Sequence, residues 1–91
     1  MIYITHIRMS APDARGHDRI VQVKWRNPAD NKTGTNTVQE IVDWIRNEKG
    51  QAKVTDGRRT VDVIVVDARP PYLRTVADGA FTDNLLALPT F

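Results

Sequence analysis

The sequence predicts an α+β domain: a small antiparallel sheet of four to five strands with one amphipathic helix packed on it, in the order β-β-α-β-β-β, followed by an ordered C-terminal tail. Three observations predict it. Apolar residues recur at helical spacing in one segment only, at Val38, Ile41, Val42 and Ile45. Most of the remaining apolar residues lie in short runs rich in β-branched side chains, bounded by Pro, Gly, Asn and Asp. The chain has 91 residues, 41% hydrophobic and 26% charged, which suits one core spanning residues 1–91 and leaves no room for a second.

Residues 2–9 form the first strand, with Ile2, Tyr3, Ile4, Thr5 and Ile7. Ile4 and Ile7 have opposite parity, so a bulge or a strand apolar on both faces is expected. Residues 10–19 are polar and broken by Pro12 and Gly16, a loop. Residues 20–26 alternate, with Val21, Val23 and Trp25 on one side and Gln22, Lys24 and Arg26 on the other. The short connection favours an antiparallel pair. Asn27-Pro28 ends the strand, and Asp30 to Gly34 reads as a turn.

Thr37-Val38-Gln39-Glu40 fits a capping box, in which the threonine hydroxyl takes the amide of Glu40 and the carboxylate reaches back. Trp44 widens the apolar stripe that follows. Lys49 and Gly50 end the helix, with Gly50 as the left-handed cap. A strand at Ala52–Thr55, an Asp56-Gly57 turn that Arg58-Arg59 lengthens, and a strand from Thr60 to Asp67 come next. Val61, Val63 and Val65 face one way in the latter, and Ile64 and Val66 the other. After Pro70-Pro71 a short strand runs from Tyr72 to Val76 into an Ala77-Asp78-Gly79 turn. The tail holds Leu85, Leu86, Leu88 and Phe91. It is expected to pack over Ile64 and Val66, with Asp83 or Asn84 capping a single helical turn.

Several chemistries find no support in the residues. There is no cysteine, hence no disulfide, thiolate metal site or thiol nucleophile. Met1-Ile2-Tyr3-Ile4 reads as a strand with no basic start or long apolar run, and no stretch has bilayer-spanning length, so a cytoplasmic protein without membrane association is expected. Ser10, His6, His17 and Asp13 supply the letters of a catalytic triad, but no strand-to-helix elbow presents the serine. Asp13, His17 and Asp18 lack metal-ligand spacing, and Lys32-Thr33-Gly34-Thr35 lacks the glycine pattern of a phosphate loop. No catalytic residue, metal or cofactor is expected. Asp62 and Asp67 fall on opposite faces of a regular strand and do not form an acid/base pair. Asp62 reads as an exposed residue or a cross-strand partner of an arginine.

The cations are the more informative set. Net charge is only +2, so no basic tract drives binding to nucleic acid. Lys24 and Arg26 nevertheless share a strand face, Arg58-Arg59 crown a turn, and Arg69 and Arg74 flank the double proline. Together with Tyr72 these form the candidate interaction surface, beside Trp25 or Tyr72 as stacking groups. An ordinary solvated surface, its arginines paired to acids, is the competing explanation.

The C-terminal third carries a further signal. Tyr72-Leu73-Arg74, Asp78-Gly79, Asp83-Asn84-Leu85 and Leu88-Pro89 resemble the ending of the domain of unknown function 3892 family, small bacterial proteins. The opening Ile4-Thr5-x-Ile7-Arg8 resembles that family's first strand, while the stretch from Trp25 to Gly34 departs from its pattern. The resemblance implies a fold and an intracellular setting, and no activity. Arg74 could bridge Asp83 as a bidentate pair or present itself to a ligand. The functional expectation is a non-enzymatic binding or accessory module for a protein partner. The alternatives are a nucleic-acid binder using the basic sheet face and a small enzyme with an unrecognised site.

Overall fold

The computed structural model describes residues 1–91. It contains β1 (Ile2–Met9), a 3-10 turn (His17–Arg19), β2 (Ile20–Arg26), β3 (Thr33–Thr37), α1 (Val38–Glu48), β4 (Ala52–Thr55), β5 (Thr60–Val66), β6 (Tyr72–Ala77) and β7 (Ala80–Thr82). All seven strands form one sheet in the order β3-β2-β1-β4-β5-β6-β7. The fold is α+β as expected, but the strand count of four to five is too low and the sheet is mixed. β1 and β4 run parallel, and every other neighbouring pair is antiparallel. A parallel pair needs a long crossover, which the segment containing α1 supplies.

The two extra strands are short and polar or turn-adjacent. β3 is Thr-Gly-Thr-Asn-Thr, and its glycine and asparagine read as turn residues; the β-branched threonines at 33, 35 and 37 are the period-two signal. β7 is Ala-Phe-Thr, joined to β6 by Asp78-Gly79. Both turn residues have positive φ, 53° and 78°, as a tight hairpin requires.

Two bulges set the faces of β1 and β2. Pairing steps from Ile4↔Trp25 to His6↔Lys24, leaving Thr5 as the extra residue on β1, and from Arg8↔Gln22 to Met9↔Ile20, leaving Val21 extra on β2. Each bulge turns the chain by one residue, so Ile4 and Ile7 are both buried, as are Ile20 and Val23. The first bulge agrees with the parity of Ile4 and Ile7. The second corrects the placement of Val21, which is exposed, with Ile20 taking its position in the core.

α1 begins at the expected cap. Thr37 accepts from the amide of Glu40 at 3.1 Å, and Glu40 accepts from the amide of Thr37 at 2.9 Å. Val38, Ile41 and Val42 are buried together with Val23, Ala52, Val54, Val61, Val63 and Leu73; Ile45 and Val65 are half-buried at the margin. The helix end differs from expectation: Lys49, not Gly50, takes the left-handed conformation at φ 54°. Gly50 is glycine for room, because the Trp44 indole lies against its Cα.

The tail is ordered. Leu85 is fully buried, and Leu86 and Leu88 are half-buried against the core. Pro89 accepts from the amide of Ile7 at 3.0 Å, Phe91 donates to the carbonyl of Ile7 at 3.0 Å, and Thr90 bridges Ile7 in parallel. Two expectations need correction. The tail leucines pack with the core cluster, to which Ile64 and Val66, opposite Arg74 and Tyr72, do not belong. Neither Asp83 nor Asn84 caps the turn with its side chain; Asp83 turns instead to Arg74. No helix is long and apolar enough to cross a membrane.

Candidate functional site

One face of the sheet is core, and the opposite face is the candidate surface. Register places Thr33, Arg26, Tyr3, Lys53, Asp62, Val76 and Phe81 side by side in one row across all seven strands. Side chains directly opposite one another share a face. The row is divided by charge. Lys53 and Asp62 neutralise each other, Nζ to Oδ1 at 2.7 Å, so Asp62 has a lysine and not an arginine as partner. Asp67 pairs instead with Arg46 of α1. On the β2 side, Lys24 and Arg26 have no ion-pair partner.

Cations on this side rest on aromatic rings. Arg26 Cζ lies 5.4 Å from the centre of Tyr3, and Lys24 Nζ and Arg8 Cζ lie 4.8 and 4.5 Å from that of Phe91. Across the sheet, Arg74 Cζ stands 4.6 Å from Phe81. Such contacts occur about once per 70–80 residues, so four in one short chain mark this surface as cationic and aromatic together. Phe81 is nevertheless more than half exposed.

The seven expected surface residues do not form one site. Lys24 and Arg26 are together, on the outer face of β2. Arg58 and Arg59 sit in the β4–β5 loop, where the Asp56 carboxylate accepts from both amides at 2.9 and 2.8 Å. Those two amides hold the Asp56 carboxyl below the usual carboxylate range. The depression beside Arg59, about 360 Å³, is also lined by Asp62 and Asp78, so it carries both signs of charge. Arg69 lies exposed in the β5–β6 loop, at the other end of β5, and Tyr72 is half-buried opposite Val66. Arg74 is engaged: its Nη2 donates to Asp83 Oδ1 at 3.4 Å, through one contact and not a bidentate fork. Tyr3, Arg8 and Phe91 complete the surface and were missed. The signal for Tyr3 was its place in a strand opposite the cationic one, whereas Phe91 depends on where the tail docks.

His6 Nδ1 lies 2.9 Å from Thr5 Oγ1, and His6 and Ser10 line separate depressions. His17 is nine-tenths buried, with Nε2 3.8 Å from Asp83 Oδ1 and no hydrogen-bond partner. Burial first, then the Arg74 guanidinium, pushes the His17 pKa down, against the smaller pull of Asp83 and Asp18. Arg74 Nε is likewise buried without a partner. No group of three His, Asp or Glu side chains converges on a point that could hold a metal ion.

Residues 3–89 match the model of a protein family described as Protein of unknown function (DUF3892). The chain belongs to this family. No curated protein and no solved structure matches it. The DUF3892 match runs through the Trp25-to-Gly34 stretch as well as both ends. In the structure the residues of the C-terminal signature hold the chain together. Leu73 and Leu85 are core, Asp78-Gly79 makes the β6–β7 turn, Arg74 meets Asp83, and the Pro89 carbonyl ties the tail to β1.

Proposed function

We propose that this DUF3892 protein is a non-enzymatic binding module for a protein partner, docking through the β2 side of the outer sheet face. One observation carries the reading: Lys24 and Arg26 stand on the same face of the sheet and neither has an ion-pair partner. Unpaired cations of this kind steer and orient an acidic partner more than they stabilise a fold. Ser10 and His6, the other residues weighed, line separate depressions. Charge reversal tests it. The Lys24→Glu/Arg26→Glu protein, shown by circular dichroism to be folded, is compared with the parent in affinity capture from lysate. Loss of specific captured proteins is the expected result; identical captured sets would overturn the reading.

A second reading is favoured by the aromatic rings beneath those cations. The same face would hold nucleic acid through phosphates, with affinity falling steeply as salt rises. Polarisation titration of labelled single strands and duplexes at low salt distinguishes it, and absence of binding removes it.

A further inference from the structure

We propose that β3 is an open docking edge for an extended segment of the partner, one that alternates acidic and apolar residues. This rests on the reading of the protein as a protein-binding module and adds how the partner is held. Asn27 donates to the carbonyl of Lys32 at 2.7 Å, one rung beyond the Arg26↔Thr33 pair. Antiparallel bonding alternates, so the next bonded rungs are Trp25↔Gly34 and Val23↔Asn36. The amides and carbonyls of Thr33 and Thr35 therefore point off the edge, four unpaired groups in a row. The Thr37 amide is taken by Glu40.

Natural sheets protect such edges with charge, proline, a bulge or extreme shortness. The opposite edge, β7, is three residues long. β3 has five residues, regular pairing along its whole length, no proline and no charge. The surroundings specify the occupant. On the core side, Asn36 borders a cleft of about 310 Å³ between sheet and helix, lined also by Trp25, Trp44, Ile41, Ile2 and Asn27. Apolar side chains from an added strand fall toward it. On the outer side the added strand lies beside Thr33 and Thr35, whose neighbours in β2 are Arg26 and Lys24. Two strand spacings, about 10 Å, separate it from β2, a gap that arginine and glutamate span together. Carboxylates at alternate positions thus meet the unpaired cations, and main-chain bonds supply the rest, as in strand addition.

The test uses the full chain, labelled with ¹⁵N, and a synthetic decapeptide alternating valine and glutamate. Titration should shift the Thr33 and Thr35 amides and the Trp25 indole N–H, and slow exchange of the two threonine amides. The same peptide N-methylated at alternate residues should bind roughly tenfold or more weakly, because its edge bonds are lost. Substituting lysine for glutamate should weaken binding at least as much. Equal binding by the N-methylated peptide would overturn the edge while leaving the cationic face in place. Concentration-dependent protection of Thr33 and Thr35 without peptide would assign the edge to a second copy of this chain and overturn the proposal. Shifts absent at millimolar peptide would overturn it too, and the Lys24→Glu/Arg26→Glu capture then decides separately whether the binding-module reading stands.

Discussion

Gly34 lies flat against the indole of Trp25, its cross-strand partner: a methyl group at position 34 would overlap the six-membered ring. Trp25 Nε1 donates to Asn36 Oδ1 at 2.7 Å, which fixes the ring over the glycine. Glycine is required here for room, since its backbone lies outside the left-handed region. Gly34→Ala should cost roughly 1–3 kcal/mol by overpacking. Urea unfolding measures the loss, and a red shift of tryptophan emission reports the displaced ring. A loss under about half a kcal/mol would show that the indole moves freely and does not wall the cleft.

His17 makes stability fall on mild acidification. Its folded pKa is pushed below the ordinary value of 6.5 by burial and by Arg74, so the folded state resists protonation. A depressed pKa contributes stability that is present above the unfolded value and lost as pH drops through the folded one. The unfolding midpoint should therefore decline from about pH 7 to about pH 5, before most carboxylates titrate. His17→Gln should flatten that decline. An unchanged slope would assign it to other groups.

The helix cap titrates in a separate window. Two hydrogen bonds from Thr37, the backbone one larger, hold the Glu40 carboxyl below its usual 4.5. Its contribution is complete above that value and is lost as pH falls through the depressed one. Thr37→Ala should cost about 0.5–2 kcal/mol at neutral pH. Urea melts at about pH 7 and about pH 3 should show the difference between parent and variant shrinking in acid, as protonation of Glu40 weakens its half of the box in the parent.

How much of this was legible in the sequence depends on whether the signal was local. The helix was, because the capping box and the Val38–Ile41–Val42 stripe lie within a few turns of chain. The bounds of β1, β2 and β4 were too, since β-branched runs end at recognisable breakers. β3 was hidden because glycine and asparagine, residues of turns, serve there to make room for an indole and to accept from it. The bulge at Val21 was hidden although Ile20 and Val23 repeat the three-residue spacing of Ile4 and Ile7 that betrayed the first. For the surface, Lys24 and Arg26 were paired by strand parity. Arg58, Arg69 and Arg74 were grouped with them by charge alone, and charge does not encode which end of the sheet a loop occupies. Register does, and register depends on long-range pairing.

The last prediction separates folding from function in the tail. Leu85 is fully buried beside a core that includes Leu73 and Ile7, whereas Leu88 is only half-buried. Leu85→Ala should cost roughly 2–5 kcal/mol, a large share of the stability of a domain this size, and Leu88→Ala distinctly less. Deleting residues 83–91 removes more than a side chain. It takes the carboxylate that faces Arg74 and His17, both hydrogen bonds to Ile7, and the ring beneath Lys24 and Arg8. Arg74 is half-buried and Asp83 mostly exposed, so their pair contributes little, and the loss of Leu85 and of the two bonds to Ile7 dominates. The truncated chain should therefore unfold or aggregate, seen as loss of the cooperative melt and a shifted elution volume. A truncated protein that remains monomeric with an unchanged Tm would show that Leu85 and the Asp83 pair are dispensable for folding, and would make the family's C-terminal signature a binding element instead.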